Sequence, residues 1–150
     1  MGRDRFSHGG FTLVEIMIVI AIISTLAALA VPVFIASRVN ANEASAIVSC
    51  RTIQTACQNF YTNSNPHTYP ASLDDLATAD PPYLDSVIGV RKEKQGYGFD
   101  YSLNDPESFT LYAEPTTPGR TGNRYFFMDE TGIIRAKKGG RAGESDAPIE

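Results

Sequence analysis

Gly9-Gly10-Phe11-Thr12-Leu13-Val14-Glu15-Ile16-Met17-Ile18-Val19-Ile20 opens the stretch that decides the fold, and the apolar run continues to Ala36. Residues 11–36 hold one charge, Glu15, and three hydroxyls, Thr12, Ser24 and Thr25. As a helix rising about 1.5 Å per residue, this run reaches roughly 39 Å, enough to cross a hydrocarbon layer of about 30 Å. A carboxylate in such a segment costs about 2.5–3.5 kcal/mol on insertion scales, so Glu15 calls for a partner or a function. Pro32 removes an intrahelical hydrogen bond and crowds the preceding turn, which predicts a kink or loosened turn, or simply marks the membrane exit.

Outward from this run, residues 1–10 form a short polar leader with Arg3 and Arg5 against Asp4. The two arginines favour a cytoplasmic leader and an exported body, although Arg38 on the far side weakens that bias. Three readings fit the N-terminus. A cleaved secretory signal would use the small-x-small exit Ala28-Leu29-Ala30, and a plain signal anchor would hold an unrelated domain. The third reading starts from Glu15, four residues after Phe11 and just behind Gly9-Gly10, which the other two do not explain.

Gly10-Phe11-Thr12-Leu13-Val14-Glu15, followed by an apolar helix with a late proline, resembles the processing site of type IV pilins and type II secretion pseudopilins. The resemblance implies a prepilin peptidase that cuts between Gly10 and Phe11 and methylates the new amine of Phe11. A small Gly10 suits a confined subsite. It also implies that Glu15 of one subunit meets the Phe11 amine of a neighbour during assembly, and that the helix around Pro32 partly melts in a filament. Implied partners are further copies of the chain in a helical filament, other minor pilins or pseudopilins, and, indirectly, an assembly ATPase and an inner-membrane platform protein. The expected location is the bacterial inner membrane, single-pass with an exported head, and then a pilus or pseudopilus.

Toward the C-terminus, Ala46, Cys50, Ile53, Cys57 and Phe60 recur at helical spacing, so an amphipathic stem is predicted over 37–65. The turn formers Asn63-Ser64-Asn65-Pro66 end it. Cys50 and Cys57 lie about 10.5 Å apart along the axis, too far to bridge within an intact helix; buried free thiols are the expected state, with intermolecular cross-linking as the alternative. In Tyr69-Pro70-Ala71-Ser72-Leu73-Asp74-Asp75-Leu76, Ser72 and Asp75 have the spacing of a helix cap; this segment also resembles the one after the long helix in pseudopilins. From Gly96 the period becomes two. Strands are predicted over 97–103, 109–113, 124–129 and 133–136, with hairpins at 104–107 and 130–132. The fold class is α+β: a long N-terminal helix, membrane-spanning in its first half, packed against a small antiparallel sheet. The expected organisation is leader 1–10, filament-core helix 11–36, stem 37–65, connector and head 66–136, and a flexible Gly-rich tail 137–150.

The whole net charge of −4 resides in residues 37–150, which hold 11 Lys or Arg and 15 Asp or Glu; with no basic stripe, nucleic acid is not the expected partner. Two cysteines make neither a disulfide scaffold nor a C-x-x-C metal site. His8 lies in the leader, leaving His67 without a nucleophile elbow, so no catalytic residues are expected. No cofactor is expected either. Asp100, Asn104, Asp105 and Glu107 are the calcium candidates, since calcium is known from some major pseudopilins, but their spacing is not that of an EF-hand loop. The competing functional class is an exported, membrane-anchored binding module for carbohydrate or another extracellular ligand, one that does not polymerise. The absence of a C-terminal disulfide and the Tyr69-Pro70 segment lean toward pseudopilins; the absence of an Asp-Pro-Trp-Gly type of motif leans away.

Overall fold

The computed structural model describes residues 11–149, and the expected leader 1–10 lies outside them. The chain divides into two compact units, Met1–Ala36 and Ser37–Glu150. Helix α1, Leu13–Asn63, contributes to both and contains no glycine. Its limits fall two residues inside the predicted 11–65 at each end. Thr12 acts as its cap rather than its first turn, and at the other end the Ser64 hydroxyl donates to the carbonyls of Tyr61 and Thr68, turning the chain away.

In the second unit the stem of α1 buries Val39, Glu43, Ala46, Ser49, Cys50, Ile53, Ala56 and Cys57. The predicted stripe is therefore the packed face, with Phe60 at its edge against Tyr83 at a ring separation of 5.9 Å. Cys50 and Cys57 are both free and buried. Burial pushes both thiols up to about 12, so they remain neutral and unreactive.

Helix α2, Leu73–Thr78, starts at the predicted cap: the Asp75 carboxylate accepts from the Ser72 N–H at 2.9 Å, and the Ser72 hydroxyl accepts from the Asp75 N–H at 3.4 Å. Leu73 and Leu76 are fully buried below it. Ser72→Ala is expected to destabilise the head by about 1 kcal/mol, read as a lower urea midpoint with an unchanged slope. An unchanged midpoint would mean that burial of the two leucines sets this helix alone. Helix α3, Ser86–Gly89, was not legible in the sequence. It packs so closely on α2 that a Cβ at Gly89 would collide with the Cβ of Ala77.

Five antiparallel strands form one sheet in sequence order: β1 Glu93–Lys94, β2 Tyr97–Asp105, β3 Ser108–Pro115, β4 Arg124–Asp129 and β5 Arg135–Lys138. Four strands are expected from the sequence; β1 is too short to show a period. Tyr97, Phe99, Phe109, Leu111, Ala113, Phe126 and Met128 join the core with the stem side chains. The last strand begins two residues later than expected. Asp129 extends the turn before it, its carboxylate accepting from the Thr131 N–H at 3.0 Å and from the Thr131 hydroxyl. Gly132 takes the positive φ that this turn needs, +74°.

Of the expected flexible tail 137–150, Lys137 and Lys138 belong to β5, and residues 139–149 make specific polar contacts with the sheet. The Ala136 N–H donates to Ala147 at 3.0 Å and the Ile149 N–H to Ile134 at 2.9 Å, while Ala142 is buried. Backbone groups and charged side chains, Arg135 and Lys137 on Asp146 and Arg141 on Asp100 and Glu114, supply these contacts, so a search for apolar side chains misses them.

Candidate functional site

Three features meet at the start of α1. The first is a reciprocal cap. The Thr12 N–H and the Thr12 hydroxyl both donate to Glu15 Oε2 at 2.9 Å, and the Glu15 N–H donates to Thr12 Oγ1 at 3.2 Å. A hydroxyl residue followed three positions later by glutamate, ahead of an apolar run, is the capping-box signature. Thr12-Leu13-Val14-Glu15 displays that signature, so Thr12 was legible in the sequence as Glu15's local partner.

The second feature is the free side of the same carboxylate. Among the described residues Glu15 Oε1 receives no hydrogen bond, and a carboxylate has lone pairs on both oxygens. Glu15 is exposed, as is Phe11 at 83%. Gly10, the expected residue before the cut, lies outside the described residues.

The third feature is the apolar face. Every residue from 11 to 36 is exposed, and helix α1 is long and apolar enough to cross a membrane, an 18-residue window of it having a mean hydropathy of 2.8. The hydroxyl of Thr25 is satisfied locally by the Ala21 carbonyl at 2.9 Å. Helix α1 continues through Pro32. A helix this apolar satisfies its own backbone and leaves its side chains for lipid or for other helices.

In the second unit, a buried charge fastens the stem to the sheet. Glu43 is 4% exposed. Its Oε1 accepts from the Asn123 N–H at 2.8 Å and the Arg124 N–H at 3.2 Å, and its Oε2 pairs with Arg124 Nε at 2.6 Å. Burial pushes the carboxyl up, but the Asn123 N–H, the Arg124 guanidinium and the Arg124 N–H together outweigh it and hold the group below its ordinary value. The Asn42 amide adds a bond to the Thr121 carbonyl at 2.9 Å.

The four calcium candidates are not assembled into a ligand set. Asp100 pairs with Arg141. Asp105 closes the β2–β3 hairpin, accepting from the Ser108 hydroxyl at 2.6 Å and the Glu107 N–H at 2.9 Å. Those bonds hold its carboxyl below the ordinary value, the Ser108 hydroxyl contributing most. Among the described residues no group of three or more His, Cys, Asp or Glu side chains is placed to hold a metal ion.

Residues 5–31 match the family model of the prokaryotic N-terminal methylation motif. The chain is similar to the type IV major pilin protein PilA of Myxococcus xanthus (strain DK1622), 37% identical over 70 residues that cover 45% of this chain and 32% of that protein. The match thus spans about a third of the length of that relative. No solved structure matches the chain.

Proposed function

We propose that this chain is a structural subunit of the type IV pilin family that is cut after Gly10, methylated on Phe11 and polymerised through α1; the match of residues 5–31 to the methylation motif and the similarity to a type IV major pilin support the reading. The observation that carries the reading is the exposed apolar face of residues 11–36, most of it inside the matched motif and with a capped carboxylate at its start. In lipid that face is solvated by acyl chains. In a filament it would pack against the same face of other copies, exchanging one apolar surrounding for another. Assembly therefore gains little from burial, and direction has to come from packing and from charge.

Glu15 supplies the charge. Cleavage would create an ammonium on Phe11, and Oε1, which receives no hydrogen bond among the described residues, can accept it from an incoming copy while Oε2 keeps the Thr12 cap. Opposite charges meeting in an apolar surrounding relieve each other's desolvation and fix one subunit's height against the next. The processing partner would be a prepilin peptidase. An assembly ATPase and an inner-membrane platform protein would supply energy and a template, and other minor pilins or pseudopilins would share the fibre. The similarity to a major pilin favours a pilus over a secretion pseudopilus.

Intact mass and N-terminal sequencing test this, on protein from membranes of cells that contain a prepilin peptidase. The expected chain begins at N-methylated Phe11. A chain beginning at Val31 would mean ordinary signal cleavage and would remove the anchor and the assembly route together. In the same assay Gly10→Phe is expected to leave the leader attached. Deletion of the gene should then abolish piliation or motility, whereas loss of exoprotein release alone would assign the subunit to secretion.

A further inference from the structure

The outer face of the sheet carries a receptor for arginine, and the chain fills it with its own C-terminal segment. Asp100, Tyr112 and Phe127 stand side by side across β2, β3 and β4, with the Tyr112 and Phe127 rings 5.3 Å apart. Glu114 lies two residues along β3, on the same face as Tyr112. Arg141 covers this row. Its guanidinium sits 3.7 Å from the centre of the Tyr112 ring, Nη2 donates to Asp100 at 2.5 Å, and Nε pairs with Glu114 at 3.0 Å. A planar cation stacked on a ring and forked between two carboxylates is recognition that lysine cannot reproduce.

The segment that supplies Arg141 is joined to β5 by Gly139 and Gly140. Gly139 has φ +76°, and a Cβ at either position would meet nothing within 4 Å. Beyond this pair, whose Gly139 N–H still donates to the Asn123 carbonyl at 3.4 Å, lie Arg141, the buried Ala142, Asp146 against Lys137 at 3.8 Å, and the backbone bonds of Ala147 and Ile149. Rotation at the two glycines would carry the whole set away as one piece.

We infer that this face is a docking surface between copies of the chain, and that its occupant in trans is the Arg141 segment of a second copy. The contacts in trans are the ones already made in cis, so no new complementarity has to arise. Exchange of an identical element is a low-barrier route to association. The balance between cis and trans is set by the effective concentration of neighbouring heads, which rises wherever copies are held side by side. The inference does not depend on polymerisation through α1.

The experiment uses two differently tagged full-length chains in detergent. The first carries Arg141→Glu and keeps an intact sheet face. The second carries Asp100→Arg with Glu114→Arg and keeps an intact Arg141. The first chain is expected to capture the second about tenfold better than it captures another copy of itself, as one charge-assisted contact implies. Adding Arg141→Glu to the second chain should abolish the difference. Association through the apolar helix would be equal in every pairing and independent of Arg141, so failure of the filament reading would leave this comparison intact. Equal capture in all pairings overturns the inference. If the doubly arginine-substituted chain loses the near-ultraviolet dichroism of the parent, Asp100→Asn with Glu114→Gln takes its place, with the same expectation and the same overturning result.

Discussion

Glu15→Gln is expected to leave the start of α1 intact and to cut filament yield by at least about tenfold. Glutamine can still accept from the Thr12 N–H and hydroxyl, because the capping box tolerates either side chain at its third position. It carries no charge, so the ammonium that processing would create on Phe11 would enter the helix bundle without a counter-ion. A charged group left unpaired in an apolar segment costs about 2.5–3.5 kcal/mol, and each 1.4 kcal/mol is a factor of ten in an equilibrium. Glu15→Ala should lose the cap as well and assemble no better than Glu15→Gln. Sedimentable fibre per cell, counted against membrane-held subunit, separates assembly from expression. If Glu15→Gln assembled like the parent, the carboxylate would be a helix cap only and the pairing with Phe11 would be wrong.

That substitution depends on Thr12, and the route to Thr12 shows how the sequence informs and where it stops. The apolar run, Glu15 and the turn at 63–66 declare themselves through period and composition, because each reflects local chemistry. The Ser72–Asp75 cap and the Gly132 turn are legible for the same reason. Two-residue β1 and four-residue α3 escape because neither completes a period. Glu43 escapes for a different reason. It lies within a polar-looking stem, and its partners, Asn123 and Arg124, are some 80 positions away in the chain. Arg141 is the same case: its three partners lie on β2 and β3, and nothing in its own neighbourhood announces them. Contacts carried by one long-range charge leave no periodic trace, yet here they fasten both faces of the sheet.

Glu43→Ala should therefore be the most damaging single change in the head. It would leave the Arg124 guanidinium and the N–H groups of Asn123 and Arg124 without their acceptor, beneath a stem that excludes water from most of the site. Removing one partner of a buried ion pair costs about 3–5 kcal/mol. The low end, about 3 kcal/mol, applies here because the Arg124 side chain is 35% exposed and water can partly compensate. That is a large share of a marginal stability of about 5–15 kcal/mol, and the urea midpoint should fall accordingly. The pH dependence gives an independent reading. Because the folded carboxyl lies below its unfolded value, its contribution is fully present above the unfolded range near about 4.3 and is lost as pH falls through the folded value. Asp105, also held low in the fold, adds to this acid loss but sits on an exposed hairpin. Glu43→Gln keeps an acceptor and removes the titration, so the variant should be less stable than the parent at neutral pH and converge with it in acid. Parallel stability curves for parent and Glu43→Gln across that window would mean that the buried pair contributes nothing to the attachment of stem to sheet, and that apolar packing around Ile53, Leu111 and Phe126 holds them together alone.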